Sequence, residues 1–316
     1  MKGRGRLFLG ASGWLLVCLA ANFLQIHAAQ AAELTVCLDE ESPPLSEKRR
    51  SGDIGFDVLV AQEVASRLNR DLRIQWFEGE HERDSSAAVD TSALLSAGKC
   101  DLVASYPLLS VGLGRPTIGN AFLPRHEGGR GGPRGPLVRL GALVVSAPYY
   151  RVGLEIVLAS SVADRNIRSL EDLSDLKLGA RAGTLGGTLL MAYQHGRYIG
   201  QIVSLPVNGD TFTAMEAGSF EASLVERHAF GLHRARNPET QVVSSGFKHP
   251  LGFNIGFATL ADRSDLLSEV NGVINSMRAD GTIEKLAAAS EFSYLPPARP
   301  YMLDKISPIL LYGADG

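Results

Sequence analysis

The sequence predicts an exported α/β protein made of two blocks of parallel-rich sheet with covering helices. Three observations carry this. A basic and then apolar leader occupies the first 31 residues, strand and helix patterns alternate after it, and a second alternation begins beyond a glycine-rich break at residues 107–138. The chain has 316 residues, 45% hydrophobic and 21% charged, with a formal net charge of −3. These values describe an ordinary globular chain long enough for two cores. So small a net charge gives no global attraction to nucleic acid, and none is expected as a partner.

Lys2, Arg4 and Arg6 open the leader, and no acid precedes Glu33. An apolar stretch from Leu7 to Leu24 follows, interrupted by Gly10, Ser12 and Gly13, and it runs into Ala29-Gln30-Ala31, a small-residue cleavage pattern. Residues 1–31 therefore read as a signal peptide and not as a fold element. Its removal leaves 28 basic residues against 34 acidic, a formal −6. No later stretch approaches eighteen apolar residues, so a soluble protein in an oxidising compartment is expected, with Cys37 and Cys100 as its remaining cysteines.

Leu34-Thr35-Val36-Cys37-Leu38 is a run of strand formers. Asp57 to Leu68 spaces Val58, Val60, Ala61, Val64, Ala65 and Leu68 as a helix. Leu72-Ile74-Trp76 alternates as a strand, Ala93-Leu94-Leu95 opens a helix ending at Gly98, and Asp101 to Ala104 is the next strand. Residues 107–138 then carry eight glycines and five prolines, with Arg115, Arg125, Arg130 and Arg134 against the single acid Glu127. Neither period survives there, and the segment reads as a mobile Gly/Arg-rich insertion that could serve as a lid or a docking loop.

In the second block, Leu154 to Leu158 reads as a strand and Leu170 to Leu173 as a short helix. Leu176 to Gly179 leads to Gly183-Thr184, where a strand gives way to a helix. Free backbone N–H groups at such a helix start attract an anion. Ile202 to Leu205 and Ala222 to Val225 are strands, with Met215 to Phe220 closing a helix between them. Ile255 to Ala258 is a last strand, and helices at Leu266 to Met277 and Ile283 to Ala289 finish the pattern.

The order of these pieces resembles the extracellular solute-binding proteins of polar amino-acid ABC transporters, family 3. The matching residues are Gly55-Phe56-Asp57, Gly98-Lys99-Cys100-Asp101, Ser146-Ala147-Pro148-Tyr149-Tyr150, Ser169-Leu170-Glu171-Asp172-Leu173 before Gly183-Thr184, and the run from Val270-Asn271 to Asp280-Gly281-Thr282. The resemblance implies a two-lobed periplasmic binding protein (type II) with two hinge crossovers. Lobe one would be residues 33–151 plus 254–316, and lobe two residues 152–253. A small ligand would sit in the cleft between them.

Carried over residue by residue, the family's carboxylate-holding arginine falls at Arg139, with Arg115 as the other candidate. Its amine-binding acid falls at Glu226, and its helix N-terminus at Gly183 and Thr184. Pro136 stands where the family has Thr, and Ser42 stands where an aromatic ring stacks on the ligand. Tyr106, beside Ser105, is the ring that could replace it. The resemblance also makes the strands of Cys37 and Cys100 neighbours, within disulfide reach. A similar Cys pair occurs in binding-protein-like accessory proteins of quinoprotein (methanol-type) dehydrogenases.

The leading expectation is a periplasmic, monomeric, non-enzymatic binding protein that captures a small polar or carboxylate-bearing solute for an ABC permease. The alternative is an accessory partner of a periplasmic dehydrogenase, with residues 107–138 as docking surface. A third is a cyclohexadienyl-dehydratase-like enzyme with Glu226 as proton donor. The seven His are scattered, and the Cys are not in C-x-x-C spacing, so no metal or cofactor is expected.

Overall fold

The computed structural model describes residues 32–79, 87–129 and 135–309. The chain divides into a first unit, residues 1–31, and a second, residues 32–316. The leader lies outside the described residues, so everything below concerns the second unit. Among the described residues no helix is long and apolar enough to cross a membrane.

The first half opens with β1 (Glu33–Asp39), a hairpin of β2 (Glu41–Ser42) and β3 (Ser46–Glu47), α1 (Phe56–Arg67), β4 (Asp71–Phe77), α2 (Ala87–Ser96) and β5 (Leu102–Pro107). It continues through β6 (Asn120–Phe122), β7 (Leu137–Arg139) and β8 (Leu143–Val145) into the crossing strand β9 (Tyr150–Leu158). The second half holds β10 (Leu178–Arg181), α3 (Leu185–Ala192), β11 (Ile202–Leu205), α4 (Thr211–Glu216), β12 (Ala222–Glu226) and α5 (Arg227–Arg236). The long strand β13 (Val243–Leu260) returns to the first half, followed by α6 (Ser264–Ala279) and α7 (Thr282–Ala289).

Eight strands form one continuous path in the order β11-β10-β12-β9-β13-β5-β1-β4, and β8, the ninth strand of the sheet, pairs with β13 off that path. Strand β1 runs parallel to β4 and β5, and β10 runs parallel to β11 and β12. The crossing strands β9 and β13 are antiparallel to each other and to β12 and β5. The architecture is the α/β binding-protein fold, with one distinction from separate lobe sheets: β9 and β13 merge them.

Burial explains the element choices. Strand β1 is central and covered on both faces, so Leu34, Val36, Cys37 and Leu38 are all buried without alternation. Helix α1 turns Val58, Val60, Ala61 and Val64 inward, and Arg67 in its last turn complements the helix dipole. Each of the three valines contributes about 1.5–3 kcal/mol by leaving water. The first half packs Phe56, Trp76, Tyr149 and Phe257 into its main core, and the second half packs Ile156, Leu178, Tyr198 and Leu224 into its own.

Cys37 and Cys100 are joined by a disulfide, with their Cα atoms 5.6 Å apart. The bridge ties β1 to the turn before β5, whose strands pair at Cys37 and Val103.

Residues 107–138 depart from the structureless insertion expected of them. Strands β6 and β7 pair antiparallel, Asn120 with Arg139 and Phe122 with Leu137. Leu123 and Leu140 are buried with Cys37, Ala93 and Leu94, and Ala121 and Val138 pack on the same cluster. Three-residue strands are too short to show a period, and the surrounding glycines and arginines mask the apolar anchors. Arg130 and Arg134 lie outside the described residues.

The segment after α7 runs along both halves. Phe292 stacks on Phe56 at 4.3 Å in the first core. Leu295 accepts the Arg151 N–H of β9 at 3.0 Å, while Asn254 of β13 exchanges hydrogen bonds with Ala298 and Tyr301. Ile306 packs against the second core.

Candidate functional site

A cavity of about 1580 Å³ opens between the two halves, at the ends of β1, β10 and β12. The first half presents Asp39, Glu40, Glu41, Pro43 and Glu78. The second presents Arg181, Gly183, Thr184, Glu226 and His228, with Phe212 farther along. Placement at the ends of parallel strands is where open α/β sheets hold small ligands.

The second wall is built locally. Gly183 takes a φ of 75°, which turns the chain out of β10. Thr184 is the N-cap of α3: its hydroxyl accepts from Gly187 N at 3.0 Å and donates to the Arg181 carbonyl at 2.9 Å. Gly186 lies so close to β12 that a Cβ there would sit 1.9 Å from the Leu224 carbonyl oxygen. That approach lets Glu226, two residues along, reach over the helix start. Its Oε1 accepts from Leu185 N at 2.9 Å and from Gly186 N at 3.4 Å. The positive helix terminus therefore already holds an anion, and that anion is part of the chain.

His228 stands in the first turn of α5, its ring stacked on Phe292 at 5.6 Å. Burial lowers its pKa. Glu226 opposes that shift and Arg181 adds to it. Arg181 itself makes no side-chain hydrogen bond or ion pair among the described residues. Other cleft cations are engaged: Arg236 lies 3.8 Å from Glu47 across the cavity, and Arg125 lies 3.3 Å from Glu78. On the acidic wall, partial burial raises the pKa of Glu40, as do Glu78, Glu41 and Asp39, while Lys48 offsets part of the rise.

Gly183, Thr184 and Glu226 thus come together at the cleft. Arg139 does not line it. It is exposed at the end of β7, on the β6–β7 hairpin, and Arg115 is exposed outside the cleft as well. Their positions follow from the path of residues 107–138, which packs the hairpin beside α2. Tyr106 also points elsewhere. It is buried with Cys37 and Ala93, and its hydroxyl donates to the Gly112 carbonyl at 2.5 Å. Burial pushes that phenol up to about 12.

Ser105, with a φ of 56°, belongs to a buried polar cluster behind the cleft. Its N–H donates to the Tyr149 hydroxyl at 3.0 Å, Tyr149 donates to Asp57 Oδ1 at 2.9 Å, and the Ser105 hydroxyl donates to Asp57 Oδ2. Burial pushes Asp57 up to about 7 despite those two hydrogen bonds. Sequence reading passed over Arg181, His228 and the Asp39-Glu40-Glu41 run. The last carried a visible signal, three acids directly after a strand. Among the described residues no group of three His, Cys, Asp or Glu is placed to hold a metal ion.

No protein-family model matches the chain, and no curated protein matches it in sequence. Solved structures do match in fold. The unliganded, open L-cystine solute receptor of Neisseria gonorrhoeae aligns over 85% of this chain and 96% of its own, at 19% identity and a TM-score of 0.57. An amino-acid ABC transporter substrate-binding protein from Streptococcus pneumoniae, solved with L-arginine, covers 82% of this chain and 94% of its own, at 19% identity and a TM-score of 0.55. A histidine kinase sensor domain with similarity to periplasmic binding proteins covers 85% and 99%, at 15% identity and a TM-score of 0.55. At these identities the likeness is one of fold: this chain has the fold of amino-acid solute-binding proteins.

Proposed function

We propose that this chain is an exported solute-binding protein that captures a small polar, amino-acid-like solute and delivers it to an ABC permease. The lobes would be residues 33–151 plus 254–316 and residues 152–253, closing about β9 and β13 as a monomer in the periplasm. The observation that carries this reading is the cleft itself. It lies between two separately cored halves, and its two walls differ in charge. The fold likeness to an L-cystine receptor and to an arginine-bound transporter protein supports the solute class. The accessory-partner reading draws on one specific feature, the exposed pair Phe122 and Leu137 on the β6–β7 hairpin.

The test is a thermal-shift panel of amino acids, polyamines, sugars and organic acids on mature protein, followed by calorimetric titration of every hit. A saturable one-to-one ligand supports capture. A ligand-blind protein that co-purifies with a periplasmic dehydrogenase favours the second reading.

A further inference from the structure

On the solute-binding reading just given, the charges of the two walls specify which solute. Pairing off the neighbours leaves an asymmetric remainder. In the second half, Arg236 faces Glu47, His233 lies 3.6 Å from Glu216, and Asp210 caps α4 through Phe212 N and Thr213 N. Glu226 is engaged by the backbone N–H groups of α3. The remaining side-chain charge of that wall is the guanidinium of Arg181. It lines the cavity at the end of β10 with no partner among the described residues.

In the first half, Glu47 is held by Arg49 at 2.6 Å and Glu78 by Arg125. Lys48 is engaged by Glu127 at 3.0 Å. Among the described residues Glu40 and Glu41 remain without an ion pair; partial burial, then Glu78, Glu41 and Asp39, raise the proton affinity of Glu40, and Lys48 offsets part of the rise. Arg181 thus stands opposite Glu40 and Glu41, none of the three in a side-chain ion pair among the described residues, across a cavity of about 1580 Å³.

A solute with charge of one sign meets repulsion from one of the two walls. A solute carrying a carboxylate at one end and a cationic head at the other meets attraction from both. The acids outnumber the free cation, so a net positive solute fits better than a neutral zwitterion. We infer that the cleft takes a carboxylate-bearing organic cation of the dibasic amino-acid kind, its carboxylate on Arg181 and its cationic head on Glu40 and Glu41. A planar guanidinium supplies paired N–H donors to a carboxylate, which suits Arg181 to that end. This polarity is opposite to the one that an arginine in the first half and an acid in the second would give. Arg139 is absent from the cleft, and Glu226 faces the helix.

The experiment titrates L-arginine, agmatine (the same molecule without its carboxylate), L-glutamine and L-glutamate into the full mature protein and into Arg181→Gln, Arg181→Lys and a Glu40→Gln/Glu41→Gln pair. L-Arginine should bind best and L-glutamate not at all. Arg181→Gln should weaken L-arginine by about thirtyfold or more, and agmatine, which Arg181 repels, should bind the variant at least as tightly as the parent. Arg181→Lys should recover part of the loss, and the paired acid variant should weaken both ligands. Unchanged melting temperatures without ligand show that the variants fold. If Arg181→Gln weakens agmatine and arginine equally, or if glutamate or glutamine binds more tightly than arginine, the assigned polarity is wrong while solute binding stands. If neither these four nor any solute of the wider panel binds, both the polarity and the solute-binding reading fall.

Discussion

Glu226 lies across the start of α3, its Oε1 2.9 Å from the backbone nitrogen of Leu185. The carboxylate occupies the position where a bound anion would meet the helix dipole. Glu226→Ala should therefore have two effects. Losing a charged acceptor at a helix N-terminus should lower stability by about 1–2 kcal/mol, read by urea denaturation. The freed N–H groups of Leu185 and Gly186 should also bind inorganic phosphate. At constant ionic strength, phosphate should raise the melting temperature of the variant more than that of the parent. Equal phosphate shifts in the two proteins would mean that the helix start is not an anion site.

Asp57 makes stability depend on pH in the opposite sense to a salt-bridged carboxylate. Its folded pKa of about 7 lies above the ordinary 3.8, because burial disfavours the charge. The folded state therefore holds a proton that the unfolded state has released between those values. Stability is fully present below about pH 4 and declines as pH rises through 7, by roughly 4 kcal/mol at full extent. Asp57→Asn keeps an uncharged side chain beside Ser105 and Tyr149 and should remove this slope. Denaturation curves of parent and variant between pH 5 and 8 should diverge, the variant gaining relative stability at the alkaline end. Parallel curves would show that Asp57 is ionised throughout.

The Cys37–Cys100 bridge closes a 63-residue separation. Chain entropy for such a loop corresponds to about 4 kcal/mol. Replacing both cysteines by Ala should lower unfolding stability by that order, and alkylation of denatured, unreduced parent protein should find no reactive thiol at either position. Recovery of both thiols as free would remove the bridge from the stability of the fold.

What the sequence made legible follows the locality of its causes. The helix expected at Asp57–Leu68 forms over Phe56–Arg67, and the one expected at Leu266–Met277 forms over Ser264–Ala279, because apolar spacing alone sets them. Gly183, Thr184 and Glu226 meet because a glycine turn, an N-cap and a strand end are short-range chemistry. Strand β13 is much longer than the Ile255–Ala258 segment expected. Its first half alternates half-buried and exposed residues, carries Gly246 and Pro250, and owes its form to pairing with β9. Helix α5 went unseen because only Phe230 and Leu232 of its ten residues are buried. Arg139 was assigned to the ligand by distance along the chain, but the hairpin it ends is placed by Leu123 and Leu140. Arg181 reads in isolation as an ordinary strand-end charge, and only its lack of an ion-pair partner among the described residues singles it out.

Asn254 joins the return crossing to the C-terminal segment, and this contact should brace the hinge. It is buried to 1% exposure. Its amide donates to the carbonyls of Ala298 at 2.7 Å and Tyr301 at 2.9 Å, and its Oδ1 accepts the Ala298 N–H at 3.0 Å. Beyond it, the Leu303 N–H donates to the Leu108 carbonyl at 3.0 Å, the Leu303 carbonyl accepts from Ser110 N–H at 3.0 Å, and Ile306 reaches the second core. Both crossings are thereby tied to one strap, since Leu295 holds Arg151 of β9. Asn254→Ala leaves several polar groups without partners in a closed setting and should cost about 1–3 kcal/mol. Lys305 is already exposed, but release of the strap should free the backbone on either side of it, so trypsin should cut there faster in the variant than in the parent, before either half is degraded. Asn254→Asp turns a second oxygen on the carbonyls of Ala298 and Tyr301 in a buried site, and should be at least as destabilising as Asn254→Ala at neutral pH. An Asn254→Ala protein with parental stability and parental cleavage at Lys305 would show that the segment beyond residue 295 is held by its apolar contacts alone.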